Sequence, residues 1–184
     1  TAFTNTGQGK KRVSFAAPYT GKIISFDLSQ LGGKIIAQKD AFLCAAKGVS
    51  IGIEFQRKLG TGIFGGEGFI MEKLEGDGMA FAHAGGYVIE KTLAAGEILK
   101  VDTGCVVAYT AGVDFDIEFV KGIKNWMFGG EGLFFAKMTG PGKVWLQSLP
   151  ISRLAGRIMQ YGTHKRKEEG SILGGLGNLL DGRE

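Results

Sequence analysis

The sequence is poor in the residues that most catalytic sites, metal centres and membrane spans depend on. It holds two cysteines, two histidines and three prolines in 184 residues. Cys44 and Cys105 have no CxxC partner and no metal-type histidine nearby, which argues against a zinc site or a disulfide framework. They read as two reduced, buried thiols of a reducing compartment, so a cytoplasmic location is expected. No apolar run reaches the roughly 18 residues of a membrane span, so no transmembrane segment is expected. No signal peptide opens the chain, yet Thr1 is not an initiator Met, which implies sequence removed upstream.

Glycine is abundant instead. The 32 glycines are more than twice the usual share of about 7%. They sit singly or in pairs between short apolar runs, as turn punctuation does between many short strands. Apolar residues make up 44% of the chain, enough for a real core. The net charge is +4, but it gathers in two runs, Lys10-Lys11-Arg12 and Lys165-Arg166-Lys167. From Val13 to Thr163, fifteen Lys and Arg face fourteen Asp and Glu. A nucleic-acid surface needs a basic face on the folded part, so nucleic acid is not an expected partner.

An internal repeat organises the chain. Phe64–Ala84 (FGGEGFIMEKLEGDGMAFAHA) and Phe128–Ser148 (FGGEGLFFAKMTGPGKVWLQS) align without a gap at an offset of 64 residues, with eight of twenty-one positions identical. Ordinary composition gives about one or two by chance. Val49–Phe55 and Val113–Phe119 alternate strictly, as half-buried strands do. Ile35–Ala45 pairs with Ile98–Ala108, and Phe3–Pro18 is a weaker echo. Eleven strands are expected: Lys22–Leu28, Lys34–Gln38, Val49–Phe55, Phe69–Leu74, Met79–Ala84, Tyr87–Lys91, Ile98–Val101, Val106–Tyr109, Val113–Phe119, Leu133–Met138 and Lys143–Gln147. The fold is therefore read as all-β: a compact region over 1–149, with two repeats (about 1–67 and 68–131) closed by a hairpin (132–149). Residues 150–184 read as a short helix, Ser152–Tyr161 with Ser152 as N-cap, and a Gly-rich tail that is either flexible or a short sticky segment ordering on a protein partner.

Candidate chemistry is sparse. Val101-Asp102-Thr103-Gly104 has the look of an aspartic-protease half-site, but that reaction needs two carboxylates sharing a proton. The matching stretch of the other repeat, Lys39-Asp40-Ala41-Phe42, reads as a strand-to-strand turn. Gly60–Gly65 fits GxGxxG but lacks the following helix that a dinucleotide site requires. Asp114, Asp116 and Glu118 are spaced too widely along one strand face for a single calcium ion. Glu67 and Glu131, kept inside GGEG in both repeats, are candidate ligand or subunit contacts, or carboxylates that accept backbone N–H bonds in a glycine turn. His83 and His164 pair with no nucleophile pattern. No catalytic residue, metal or cofactor is expected, and the chain is read as not an enzyme.

The segments RVSFAAPYTGKIISFDL from Arg12, QKDAFLCAAKGVSI from Gln38, FGGEGF from Phe64, LKVDTGCVVAY from Leu99, FGGEGL from Phe128 and TGPGKVWLQSLP from Thr139 carry a resemblance. The chain resembles the mitochondrial biogenesis family named for altered inheritance of mitochondria, with its bacterial relatives of unknown function. The resemblance implies a fold like that of the tryptophan RNA-binding attenuation protein: a small jelly-roll or short double-stranded β-helix unit in tandem. It implies three units per chain, hence a first unit of about 65 residues ahead of Thr1, and homotrimers that close a ring. Open strand edges are expected at Phe3–Thr6 and Leu133–Met138, with Phe64, Trp126, Met127 and Phe128 as possible contacts. The expected function is a non-enzymatic oligomeric scaffold or interaction protein; the alternative is an RNA- or small-ligand-binding ring.

Overall fold

The computed structural model describes residues 1–57, 68–120, 133–159 and 161. Among the described residues twelve strands follow one another: β1 Gly21–Asp27, β2 Lys34–Gln38, β3 Phe42–Ala45, β4 Ser50–Arg57, β5 Phe69–Glu75, β6 Met79–Gly85, β7 Val88–Leu93, β8 Ile98–Asp102, β9 Val106–Thr110, β10 Asp114–Val120, β11 Leu133–Thr139 and β12 Gly142–Gln147. The eleven expected strands are all present, with ends shifted by at most two residues. The addition is β3. A helix, α1, covers residues 151–159.

The strands form three antiparallel sheets, ordered β1-β6-β3, β10-β11-β8 and β4-β5-β2-β9-β12-β7. The six-stranded sheet lies in the middle, and the alternation of β2 shows why. Ile35 and Ala37 enter one buried cluster with Phe26, Ala80, Ala82 and Ala84 of the first small sheet. Ile36, on the opposite face, enters a second cluster with Ile117, Ala136 and Met138 of the other small sheet. Val144 and Trp145 of β12 divide in the same way. Side chains alternate across a strand, so a strand covered on both faces reads as a continuous apolar run, as KIIAQ does.

The ladders recur 64 residues apart, so Ile35 matches Leu99 and Lys34 matches Ile98, one residue away from the expected pairing of Ile35–Ala45 with Ile98–Ala108. Lys34↔Glu75 in β2·β5 matches Ile98↔Thr139 in β8·β11. Ser50↔Glu75 matches Asp114↔Thr139. In β3·β6, Phe42↔Ala82, Cys44↔Phe81 and Ala45↔Ala80 match Val106↔Leu146, Ala108↔Trp145 and Tyr109↔Val144 of β9·β12, each ladder with one irregularity. The 3₁₀ turns after β2 and β8, Lys39–Ala41 and Thr103–Cys105, fall at the same offset.

Several expectations are corrected. Residues 132–149 do not form a hairpin: β11 pairs with β10 and β8, whereas β12 pairs with β7 and β9. The Gly-rich turn between them carries the chain from one sheet to the next, which lets consecutive strands face each other across a core. Leu133–Met138 is no open edge, because β11 has a neighbour on each side. Phe3–Thr6 forms no strand; residues 1–20 have no regular structure, although the Phe3 and Phe15 rings meet edge-on at 5.5 Å. Ser152 lies inside α1 rather than capping it, and the Pro150 carbonyl accepts from the Arg153 and Leu154 amides. The expected apolar face of α1 is largely uncovered, with Ile158 and Tyr161 exposed.

Candidate assembly interface

One ladder joins the two halves. β2 pairs with β9 through Ile35↔Thr110, Ile36↔Tyr109 and Ala37↔Ala108. The strands equivalent to this pair are β8, which matches β2, and β3, which matches β9. Each ends its sheet, so among the described residues one edge of each carries backbone N–H and C=O groups with no strand beside them. Burial follows the pairing. In β9 the first four residues are buried, whereas all four residues of β3 are half-buried. In β2 Ile35, Ile36, Ala37 and Gln38 are buried, whereas no residue of β8 is.

Side chains repeat the contrast. Ile117 on β10 packs in the cluster that Ile36 of the first half completes, and it is 3% exposed. Its counterpart Ile53 on β4 is 61% exposed. Ile98 on β8 is 55% exposed. β8 is also the more polar edge: Lys100 stands where β2 has Ile36, and its ammonium donates to Glu118 at 2.6 Å. Charges of this kind blunt exposed edges.

Beside the β2·β9 joint, a second set of bonds ties the halves. The Gln147 side chain is almost buried; its Oε1 accepts from the Gly85 amide at 2.7 Å and its Nε2 donates to the Gly104 carbonyl at 2.8 Å. The Leu149 amide donates to the Gly85 carbonyl, and the Tyr87 amide to Ser148 Oγ at 2.8 Å. The approach is close enough that a Cβ on Gly85 would lie 2.1 Å from the Leu149 carbonyl oxygen, which explains glycine there. A cleft of about 50 Å³ opens beside this junction, lined in part by Gln38, Asp40, Gln147 and Tyr19. It is large enough to hold water.

His83 occupies the position 64 residues before Gln147. It is 2% exposed, and among the described residues neither ring nitrogen meets a hydrogen-bond partner of good geometry; the Tyr19 ring stands edge-on at 4.3 Å and the Tyr19 backbone lies against it. Burial pushes its pKa below the ordinary value, partly offset by the Tyr19 backbone. Burial also raises Glu72, Cys105 and, most strongly, Tyr109.

Four other acids named from the sequence, Asp40, Asp102, Asp116 and Glu118, have ordinary structural partners. Asp102 caps the turn at Thr103–Cys105, accepting from the Gly104 amide at 2.9 Å, and pairs with Arg153 of α1 at 2.8 Å. Asp40 accepts from Gln38 at 3.2 Å. Glu118 holds Lys100, and Asp116 meets Arg57 at 3.4 Å. Among the described residues no group of three or more metal-type side chains converges. Both thiols are free. Glu67, Glu131, Phe64, Trp126, Met127 and Phe128, together with the GxGxxG segment, His164 and the Gly-rich tail, lie outside the described residues. Sequence reasoning missed Gln147, Arg153 and the free edges. The signal for β3 was there: FLCA sits opposite VVAY in the repeat.

Among the described residues the chain is a three-sheet, all-antiparallel protein whose halves are joined by β2·β9, with the counterpart strands β8 and β3 at the ends of their sheets. Its family is shown by sequence: residues 1–149 match the model of the family described as Mitochondrial biogenesis AIM24, and the chain belongs to it. A curated relative is the uncharacterised protein M6_Spy0233 of Streptococcus pyogenes serotype M6, 29% identical over 155 residues, or 83% of this chain and 60% of the relative. The crystal structure of protein SPYM3_0169 from Streptococcus pyogenes is similar in fold, with a TM-score of 0.65 at 27% identity over 79% of this chain and 62% of that one. The chain thus spans about three fifths of the length of these relatives. No helix among the described residues is long and apolar enough to cross a membrane.

Proposed function

We propose that this chain is a non-enzymatic, self-assembling scaffold. In this reading β1–β6 and β7–β12 are two copies of one small jelly-roll-type unit, and the outer strands take further units head to tail. The observation that carries it is the contrast between β2·β9, paired and buried, and the equivalent strands β8 and β3, which end their sheets. Exposed edges invite pairing, and head-to-tail pairing closes into a ring when the rotation between units allows. Three chains is the number the family resemblance supplies. Two free thiols suit a reducing compartment such as the cytoplasm. The RNA-binding alternative draws little support from the sheets, most of whose lysines are engaged in ion pairs, among them Lys34 with Glu54, Lys100 with Glu118 and Lys143 with Glu90.

Sedimentation equilibrium of the 184-residue chain at micromolar concentration tests the reading. A mass three times that of the chain is expected. A monomer at every concentration defeats it.

A further inference from the structure

The helix α1 is amphipathic, and its anchor to the body comes from its polar side. Ile151, Leu154, Ala155 and Ile158 fall at i, i+3, i+4 and i+7, which makes one stripe along a helix. Tyr161 continues the stripe. Arg153 and Arg157 belong to the other side. The first turn holds the helix in place: the Pro150 carbonyl accepts from the Arg153 and Leu154 amides, and the Arg153 guanidinium meets Asp102 at 2.8 Å. Leu154 is half-buried, and every residue from Ala155 to Met159 is exposed. Ile158 is 62% and Tyr161 76% exposed. A helix this short is marginal in water by itself, so the stripe is stabilised by a surface it can lie on.

Charge says which surface. From Pro150 to Lys167 the sequence holds five Lys and Arg and no Asp or Glu, whereas Val13–Leu149 holds thirteen against fourteen. Positive charge without a compensating acid is therefore concentrated along the stripe. At the foot of the helix the body shows the same mixture of apolar and basic groups. Tyr87 and Leu149 are exposed on either side of Ser148, whose Oγ accepts from the Tyr87 amide, and the Lys22 ammonium stands 5.0 Å over the Tyr87 ring. We propose that α1 lies on an anionic lipid surface. Its apolar stripe enters the boundary between headgroups and acyl chains, and Arg157 and the basic residues that follow meet the headgroup phosphates. Amphipathic helices bind lipid in this way, through buried apolar area together with attraction to anionic headgroups. A second copy is a poorer cover, because a facing α1 would bring the same uncompensated positive charge. The proposal goes beyond the scaffold reading and stands whether or not the chain assembles.

Flotation of the full chain with lipid vesicles tests it. The chain is expected to float with vesicles of phosphatidylcholine mixed with phosphatidylglycerol and to stay below with phosphatidylcholine alone. Ile158→Ser combined with Tyr161→Ser removes the exposed end of the stripe and leaves the charge unchanged. This pair should lower the partition onto the anionic vesicles about tenfold or more. The melting temperature should not move, since both side chains are exposed. Arg157→Gln should weaken binding about fivefold. A chain that stays below with both kinds of vesicle overturns the proposal, the result expected if the Gly- and Leu-rich end of the chain or a groove on another protein takes the stripe instead. Undiminished binding by the double serine variant also overturns it, because the basic run would then act alone. Equal flotation with both kinds of vesicle overturns the assignment to an anionic surface.

Discussion

Ile53 and Ile117 stand 64 residues apart, at matching positions on matching strands, opposite Glu72 and Ala136; the β4·β5 ladder then shifts by one residue, whereas β10·β11 runs on without a shift. Ile117 is 3% exposed and Ile53 is 61% exposed. The residue type is the same; Ile117 packs in a cluster that holds Ile36, Phe69 and Met71 of the first half, whereas Ile53 has no such cover among the described residues. Apolar surface left uncovered in one repeat and buried in its counterpart is the pattern an assembling protein leaves in a single chain.

That asymmetry gives a paired prediction. Ile117→Asn should destabilise the fold by about 3 kcal/mol or more, since it places an unpaired polar group in a packed cluster. Ile53→Asn should change thermal stability at low concentration little, yet weaken self-association. Thermal melts at two protein concentrations check it; equal losses of stability from the two substitutions would refute the assignment of Ile53 to an interface.

The junction between the halves is expected to be fragile at Gln147. Gln147→Ala removes both bonds and leaves the Gly85 amide and Gly104 carbonyl without that partner, costing about 2 kcal/mol. Gly85→Ala should be worse than a surface substitution, because the added methyl meets the Leu149 carbonyl. Urea unfolding reads both; a midpoint unchanged by Gln147→Ala would show that the tie is redundant.

His83 predicts a pH dependence with a definite sign. Its folded-state pKa lies below the ordinary 6.5 because burial disfavours the imidazolium. The unfolded chain therefore binds more protons, so the native state loses stability as pH falls below 6.5, and regains it above. Glu90 and Glu97, whose pKa values their lysine partners lower from 4.5, add a loss of the same sign only nearer that pH. His83→Gln installs the residue found at the equivalent position of the second half. It should flatten the stability profile between pH 6.5 and 5, read as melting temperature against pH; an unchanged slope would contradict the assignment to His83.

Much of this fold was legible in the sequence because it lies in short-range pattern. Strict alternation marked β4 and β10, and glycine pairs marked the turns. β3 escaped because Phe42–Ala45 is brief, ends in small residues and follows a Lys-Asp-Ala turn; its match to Val106–Thr110 was the usable clue. The supposed hairpin of β11 and β12 failed because a glycine turn looks the same whether the chain returns along one sheet or crosses to the next. Pairing decides that, and pairing such as Ile36 with Tyr109 is set by burial between distant segments. The interface candidates read from the sequence were aromatic residues near glycine turns. Free backbone edges carry no residue signature, so β3 and β8 became visible only through the ladders of their counterparts.

The Asp102–Arg153 pair anchors α1 to the second half at 2.8 Å. Arg153→Ala should cost at most about 1 kcal/mol, as a part-exposed pair does, while making residues 151–159 more readily cleaved by a protease. Limited proteolysis with and without the substitution checks this; identical cleavage would mean that other contacts hold the helix.

Amide hydrogen exchange as a function of protein concentration tests the central claim most directly. Assembly through β3 and β8 predicts that protection at Leu43–Ala45 and Leu99–Val101 rises together with concentration, while the edges that stay free in both halves, β1, β4, β7 and β10, gain no new strand partner and exchange as before. Protection at β3 and β8 that does not change with concentration, or that rises on the other edges instead, would contradict it.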